Sequence, residues 1–339
     1  MGIFSWLLGQ GNTIEESDGP QTRDVVERVV ALSPQLRLAT QYEARLSKAA
    51  RTALDYVGRL VDDLPGVREA SVAAWSTDCQ IHAFFAAPDD IASAFSRSHV
   101  VRAFFDQHPG AHEAFAVLGM AISERRVLGA RQEGGIVRTD VPITTVSFGD
   151  HQVGLVACTE EELRDELVLR VVDQLALAAL AQVEANTLRR ESLMQERALL
   201  KVRLRLLERG GLGMNPVLGG GMPDAAADLN SLQAEMDEND RELAGLGLAS
   251  DALERQLKVV CDLLADPASH VSVVRRRLWL DRLNVVVDDG AHDGAPVEFR
   301  VARIPASPPR IRAFALVRFA RADLLPATTI VEASSKLVI

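Results

Sequence analysis

The sequence predicts an α+β chain: a helix-rich head with a small antiparallel sheet, a long antiparallel coiled-coil hairpin, and a C-terminal antiparallel β domain. Three observations carry this. Residues 159–208 contain neither Pro nor Gly. A step of 3 and 4 from Leu229 meets Leu232, Met236, Asn239, Leu243, Leu246, Ser250, Leu253, Leu257, Val260 and Leu264, nine apolar residues in eleven positions, which is the seam of a coiled coil. On either side of this helical block the apolar period falls from helical spacing to 2, as strands require.

In chain order, the expected division is a flexible N-terminus 1–21 with an apolar cluster, an α+β head 22–158, a helical hairpin 159–265 with a Gly-rich tip 210–223, and a small antiparallel β domain with a tail, 266–339. Val25, Val26, Val29 and Val30 mark a helix over 22–32, and Pro34 separates it from a second over 35–64, because a proline restricts the residue before it and lacks an amide donor. Leu64-Pro65-Gly66 ends that helix. Trp75, Phe84, Phe85, Phe95, Phe104, Phe105 and Phe115 are the expected core of several short packed helices, one starting at Pro88-Asp89-Asp90 with acids near its positive end. Between 118 and 157, β-branched residues bounded by Gly134-Gly135, Pro142 and Gly149-Asp150 predict a meander of hairpins.

Thr159 with Glu162 three residues later predicts a capping box opening the long helix. Its distal part continues the seam at Leu193, Leu200, Leu204 and Leu207, interrupted by Arg197. Residues 189–209 hold seven basic and three acidic residues, and 224–242 hold one and seven, so net charges of +4 and −6 face each other if the chain folds back. Gly245, Gly247 and a Ser250 or Asp251 cap are the point where the returning helix could break. Four strand signals follow, at 271–280, 283–288, 297–304 and 311–319.

Composition narrows function. Of 339 residues 47% are hydrophobic and 25% charged, with a formal charge of −10, which excludes wholesale disorder and argues against general nucleic-acid binding. The basic run 189–209 lacks interleaved aromatics for base stacking and has an acidic stretch to pair with. No run reaches the roughly 20 apolar residues of a membrane span. Cys79, Cys158 and Cys261 form no C-x-x-C pair, the pattern of a reducing, cytoplasmic setting. Ile3, Phe4, Trp6, Leu7 and Leu8 are an interaction candidate, either a protein-docking segment or a peripheral contact of residues 1–9 with the inner membrane.

No motif identifies an enzyme, a cofactor or a metal site. Residues 210–221 lack the Gly-Lys-Ser/Thr of a phosphate loop, and Pro109-Gly110 sits between His108 and His112. Asp150-His151 is the one polar pair set where a carboxylate could orient a histidine for acid-base work.

The segments 60–66 (LVDDLPG), 83–86 (AFFA), 113–118 (EAFAVL), 145–151 (TVSFGDH) and 316–319 (LVRF) together resemble a family of uncharacterised bacterial proteins over residues 22–326. That resemblance implies no catalytic residue. Over 118–190, strands running into a long helix resemble ligand-sensing GAF domains, which implies a small-molecule sensor signalling through the helix. The favoured expectation is a non-catalytic interaction or scaffold protein that meets a protein partner or further copies of itself through the coiled coil. The GAF-like sensor is the alternative.

Overall fold

Both parities of residue are apolar along the strands at Glu113–Met120 and Ala313–Phe319, so these strands need cover on both faces. The computed structural model supplies it, describing residues 19–133, 136–213, 225–247, 251–290, 294–305 and 310–326. Its elements are α1 (Pro20–Leu32), a 3₁₀ turn (Pro34–Leu38), α2 (Tyr42–Asp62), β1 (Arg68–Glu69), α3 (Val72–Thr77), α4 (Cys79–Phe84), α5 (Pro88–Arg97), α6 (His99–Gln107), β2 (Glu113–Glu133), β3 (Ile136–Ala157), α7 (Glu160–Gly213), α8 (Ala225–Gly245), α9 (Ala252–Ala265), β4 (Ser272–Leu280), β5 (Ala295–Ile304) and β6 (Arg310–Ala320). The architecture is α+β.

One six-stranded sheet, ordered β3-β2-β6-β5-β4 and antiparallel along that path, forms the middle layer, with β1 adding parallel to β6. Ala114, Ala116, Leu118, Met120, Ala313, Val317 and Phe319 face α3–α6 in one core. Phe115, Val117, Phe314 and Leu316 face the opposite way, into a second core with α1, α2, α9 and the proximal half of α7. On α2 the buried residues Leu46, Ala49, Ala50, Ala53, Val57 and Val61 fall on one stripe, and its three alanines let neighbouring helices approach closely. Arg164 of α7 closes the end of α2, donating to the carbonyls of Val61 (2.7 Å) and Pro65 (3.0 Å), acceptors that a helix C-terminus leaves open.

The sheet curls until its outer strands are bridged. Residues 281–287 lie between them: Val146 N donates to Asn284 O and Val286 N to Thr144 O on the β3 side, while Val287 N donates to Trp279 O on the β4 side. Within the curl, Phe148 meets Phe84 and Phe299 edge to face.

Three expectations change. The C-terminal strands expected within 266–339 are not a sheet of their own, because β6 pairs with β2 along Glu113–Met120; no turn or spacing signal joins partners some 200 residues apart. The expected meander is a single hairpin. Pro142 and Gly149-Asp150 lie inside β3, a proline being tolerated on an edge strand and the expected turn being a bulge at Asp150-His151, opposite Met120, with Gly149 still paired to Ala121. Residues 35–64 are a 3₁₀ turn and a helix, separated at Gln41, whose φ is 50°. The returning helix does break where the sequence marks it, at Gly247, into α8 and α9. The capping box at Thr159 does form in part: its Oγ1 accepts from Glu162 N at 3.1 Å, and the Glu162 carboxylate reaches Cys158 N, one residue before the expected amide.

Candidate functional site

Through about residue 185, α7 is buried against α1, α2 and α9 by Leu163, Val172, Leu175, Ala176 and Ala179. Beyond that it projects, and α8 returns along it. Leu193 and Leu200 of α7 and Leu232 and Asn239 of α8 are buried in the seam between them. Asn239 Nδ2 donates to Leu193 O at 3.1 Å and to Glu196 Oε2 at 3.3 Å. A buried amide in a seam fixes register, since slipping the helices would leave it unpaired. Arg197, which interrupts the apolar pattern, swings out to Asp240 at 2.8 Å, and Arg189 pairs with Glu242. These exposed pairs contribute about 0.2–1 kcal/mol each, enough to bias direction and too little to hold the hairpin alone. The Gly-rich tip expected over 210–223 starts later than that: residues 210–213 continue α7, and 214–223 lie outside the described residues.

The seam does not use all the apolar surface of α7. Leu188, Leu199, Val202 and Leu206 are 59%, 67%, 52% and 64% exposed. At 100° per residue they fall within about 40° of one line, on the side of the helix opposite Leu193, Leu200 and Leu204. Distal α7 is thus apolar on two opposite faces, and α8 covers one.

The chain matches no protein-family model, no curated protein and no solved structure. Neither resemblance noted in the sequence gains support from these comparisons. The functional reading therefore rests on geometry.

The other sequence candidates are placed as follows. Asp150 and His151 share one slot opposite Met120, because the register steps from Gly119↔Gln152 to Ala121↔Gly149. Asp150 takes a φ of 47°, and the bulge sends the two side chains apart. Arg312 Nη1 donates to Asp150 Oδ2 at 2.7 Å, and this hydrogen bond, with help from Gln152, holds the carboxyl below its ordinary pKa. The His151 ring stacks on Phe85, centroids 4.5 Å apart, with Nε2 2.8 Å from Phe84 O. Nε2 therefore carries the proton and donates it to that carbonyl. The pair is no acid-base dyad; each residue fastens β3 to a different neighbour.

Burial pushes the His151 pKa down, against the raising effect of the Phe84 carbonyl. The unfolded chain then binds a proton that the folded one does not, so stability is full above about pH 6.5 and is lost as pH falls through the folded pKa. The expected result is a urea midpoint that falls between pH 7 and pH 5, with a smaller fall in His151→Gln. An equal fall in both proteins would remove His151 as the cause.

A sensor needs a cavity among Trp75, Phe85 and Phe148. That space is filled: Phe85 is 1% and Phe148 8% exposed, and Trp75 Nε1 donates to Phe85 O at 2.8 Å. A cleft of about 570 Å³ lies beside it, lined by Trp75, Asp78, Cys79, His82, Asp281 and Arg282 among others. Burial raises the Cys79 thiol pKa, the opposite of an activated nucleophile. Among the described residues, no helix is long and apolar enough to cross a membrane, and no group of three or more His, Cys, Asp or Glu could hold a metal ion. Ile3, Phe4, Trp6, Leu7 and Leu8 lie outside the described residues.

The outer stripe of α7 is what the sequence reading missed. Its signal was present as a second set of 3 and 4 steps, offset from the seam.

Proposed function

We propose that this protein is a non-catalytic scaffold that docks through the projecting α7–α8 hairpin. The observation carrying this is the uncovered outer face of distal α7, where four large apolar side chains stand in solvent while the opposite face is already satisfied by α8. Burying each would gain roughly 1.5–3 kcal/mol, so a solvated stripe of this length favours a protein surface that covers it. A cytoplasmic setting is supported by three free thiols, one of them exposed. The alternative, a small-molecule sensor, draws on the cleft beside Trp75 alone, since the aromatic core behind it has no room.

A photo-crosslinking residue placed at Leu199 in the full chain, in its own cells, tests the reading. Protein adducts are expected from position 199 and not from the exposed body position Thr52. Equal labelling from both, or none from either, would remove the hairpin as a docking element.

A further inference from the structure

The charges flanking the outer stripe point to one occupant. Looking along α7, Glu191 and Arg205 border the stripe on one side and Glu196 and Arg203 on the other. All four are exposed. None forms an ion pair with a described residue; Glu196 accepts one hydrogen bond, from Asn239.

We infer that the stripe pairs with the same stripe of a second copy, antiparallel, about a two-fold axis beside Leu199. This rests on the reading of the hairpin as the docking element and names its partner. A two-fold of that kind sets residue i opposite residue 398 − i and places each flank against the identical flank of the other copy. Leu199 then meets Leu199 of the second copy, Val202 falls level with residue 196, within one residue of Gln195, and Leu206 lies over Ser192. On one flank Glu191 comes within two residues, or about 3 Å of rise, of the other copy's Arg205. On the other, Glu196 comes within one residue of Arg203. Symmetry repeats both, so every flanking carboxylate faces a guanidinium. A parallel pairing in register would instead set Glu against Glu and Arg against Arg, at a cost in both stability and partner choice. The charges flanking the stripe are thus self-complementary in one direction only, which a surface meant for a uniformly acidic or basic partner has no reason to be.

The test is sedimentation velocity and light scattering on the full chain over about 1–200 µM, a range in which mass action shifts a weak dimer. The wild type is expected to dimerise as concentration rises. R203E/R205E sets four acids on each copy and E191R/E196R four bases, so each alone should bind itself about tenfold or more weakly. Their equimolar mixture should recover the wild-type association, because every flanking pair is then of opposite sign. L199D should be monomeric, with circular dichroism showing that all variants keep their helix content. A wild type that stays monomeric, or a dimer that all three variants leave intact, overturns the inference. A monomer that binds phosphatidylserine-containing vesicles in a Leu199-dependent way would replace it with a lipid surface. Adducts from position 199 to a different protein, with the purified chain monomeric, would overturn self-pairing and leave the hairpin's docking role standing.

Discussion

Truncating Phe319 to alanine is expected to lower the free energy of unfolding by about 3–5 kcal/mol, because a large side chain is removed from a site that cannot collapse around the void. Phe319 is 1% exposed, on β6, an interior strand of the sheet. Its ring stacks on Phe95 of α5 at 4.4 Å and 6°. The last described strand therefore packs face to face on a helix of the head, and removing one ring leaves the other beside a cavity. Urea denaturation followed by circular dichroism should show the midpoint falling with the slope unchanged, as for a loss of stability alone. Ile311→Ala on the same strand, 62% exposed, should stay within about 0.5 kcal/mol of wild type. The comparison also tests the single sheet. Amide exchange in α5 and in β6 should accelerate together in Phe319→Ala; if α5 keeps its protection while β6 loses it, the C-terminal strands form a separate cooperative unit.

That unity was the part of the fold least legible from local pattern. The hairpin was written plainly, since a seam is a periodic signal confined to one stretch of chain. Pro34, Pro88 and Thr159 marked helix boundaries through backbone chemistry that acts within a few residues. The pairing of β2 with β6 has no such local cause. It left one trace, the apolar run Ala313-Phe314-Ala315-Leu316-Val317, whose two parities are both apolar, as a strand covered on both faces requires. Taken only as the last of four strand signals after residue 271, that run suggested a small separate sheet. Turn signals misled for a related reason: Gly149-Asp150 has the composition of a turn, and Asp150 with His151 forms a bulge, which asks for the same backbone freedom. Asp150 and His151 were adjacent in sequence and candidates for that reason, yet the bulge parts their side chains. The outer stripe of α7 went unread because one apolar phase was enough to explain a helix, and Leu188, Leu199, Val202 and Leu206 lie in the other.

The bridge that joins the two outer strands depends on one residue, and its replacement should be nearly as costly as a core truncation. Asn284 sits at φ 57°, in the left-handed region that asparagine enters with little penalty and a β-branched residue does not. Its Nδ2 donates to Ala83 O at 2.9 Å, tying the bridge to the last turn of α4, and its carbonyl accepts from Val146 N at 2.9 Å, tying it to β3. Asp281 prepares the turn by accepting at Oδ1 from the amides of Leu283 and Val285, both at 2.8 Å. Asn284→Val keeps none of the side-chain bond and adds backbone strain, so a loss of about 2–3 kcal/mol is expected from the two effects together. Asn284→Gly separates them: glycine accepts the backbone angle freely and forfeits only the bond to Ala83, for about 1 kcal/mol. Exchange of the Val146 amide should quicken in the valine variant and much less in the glycine one, because that amide is held by the backbone path of the bridge and not by the side chain. If valine and glycine cost the same, the left-handed backbone is not what holds the curl, and the bridge between β4 and β3 must draw its strength from packing on Phe148 and Phe299 instead.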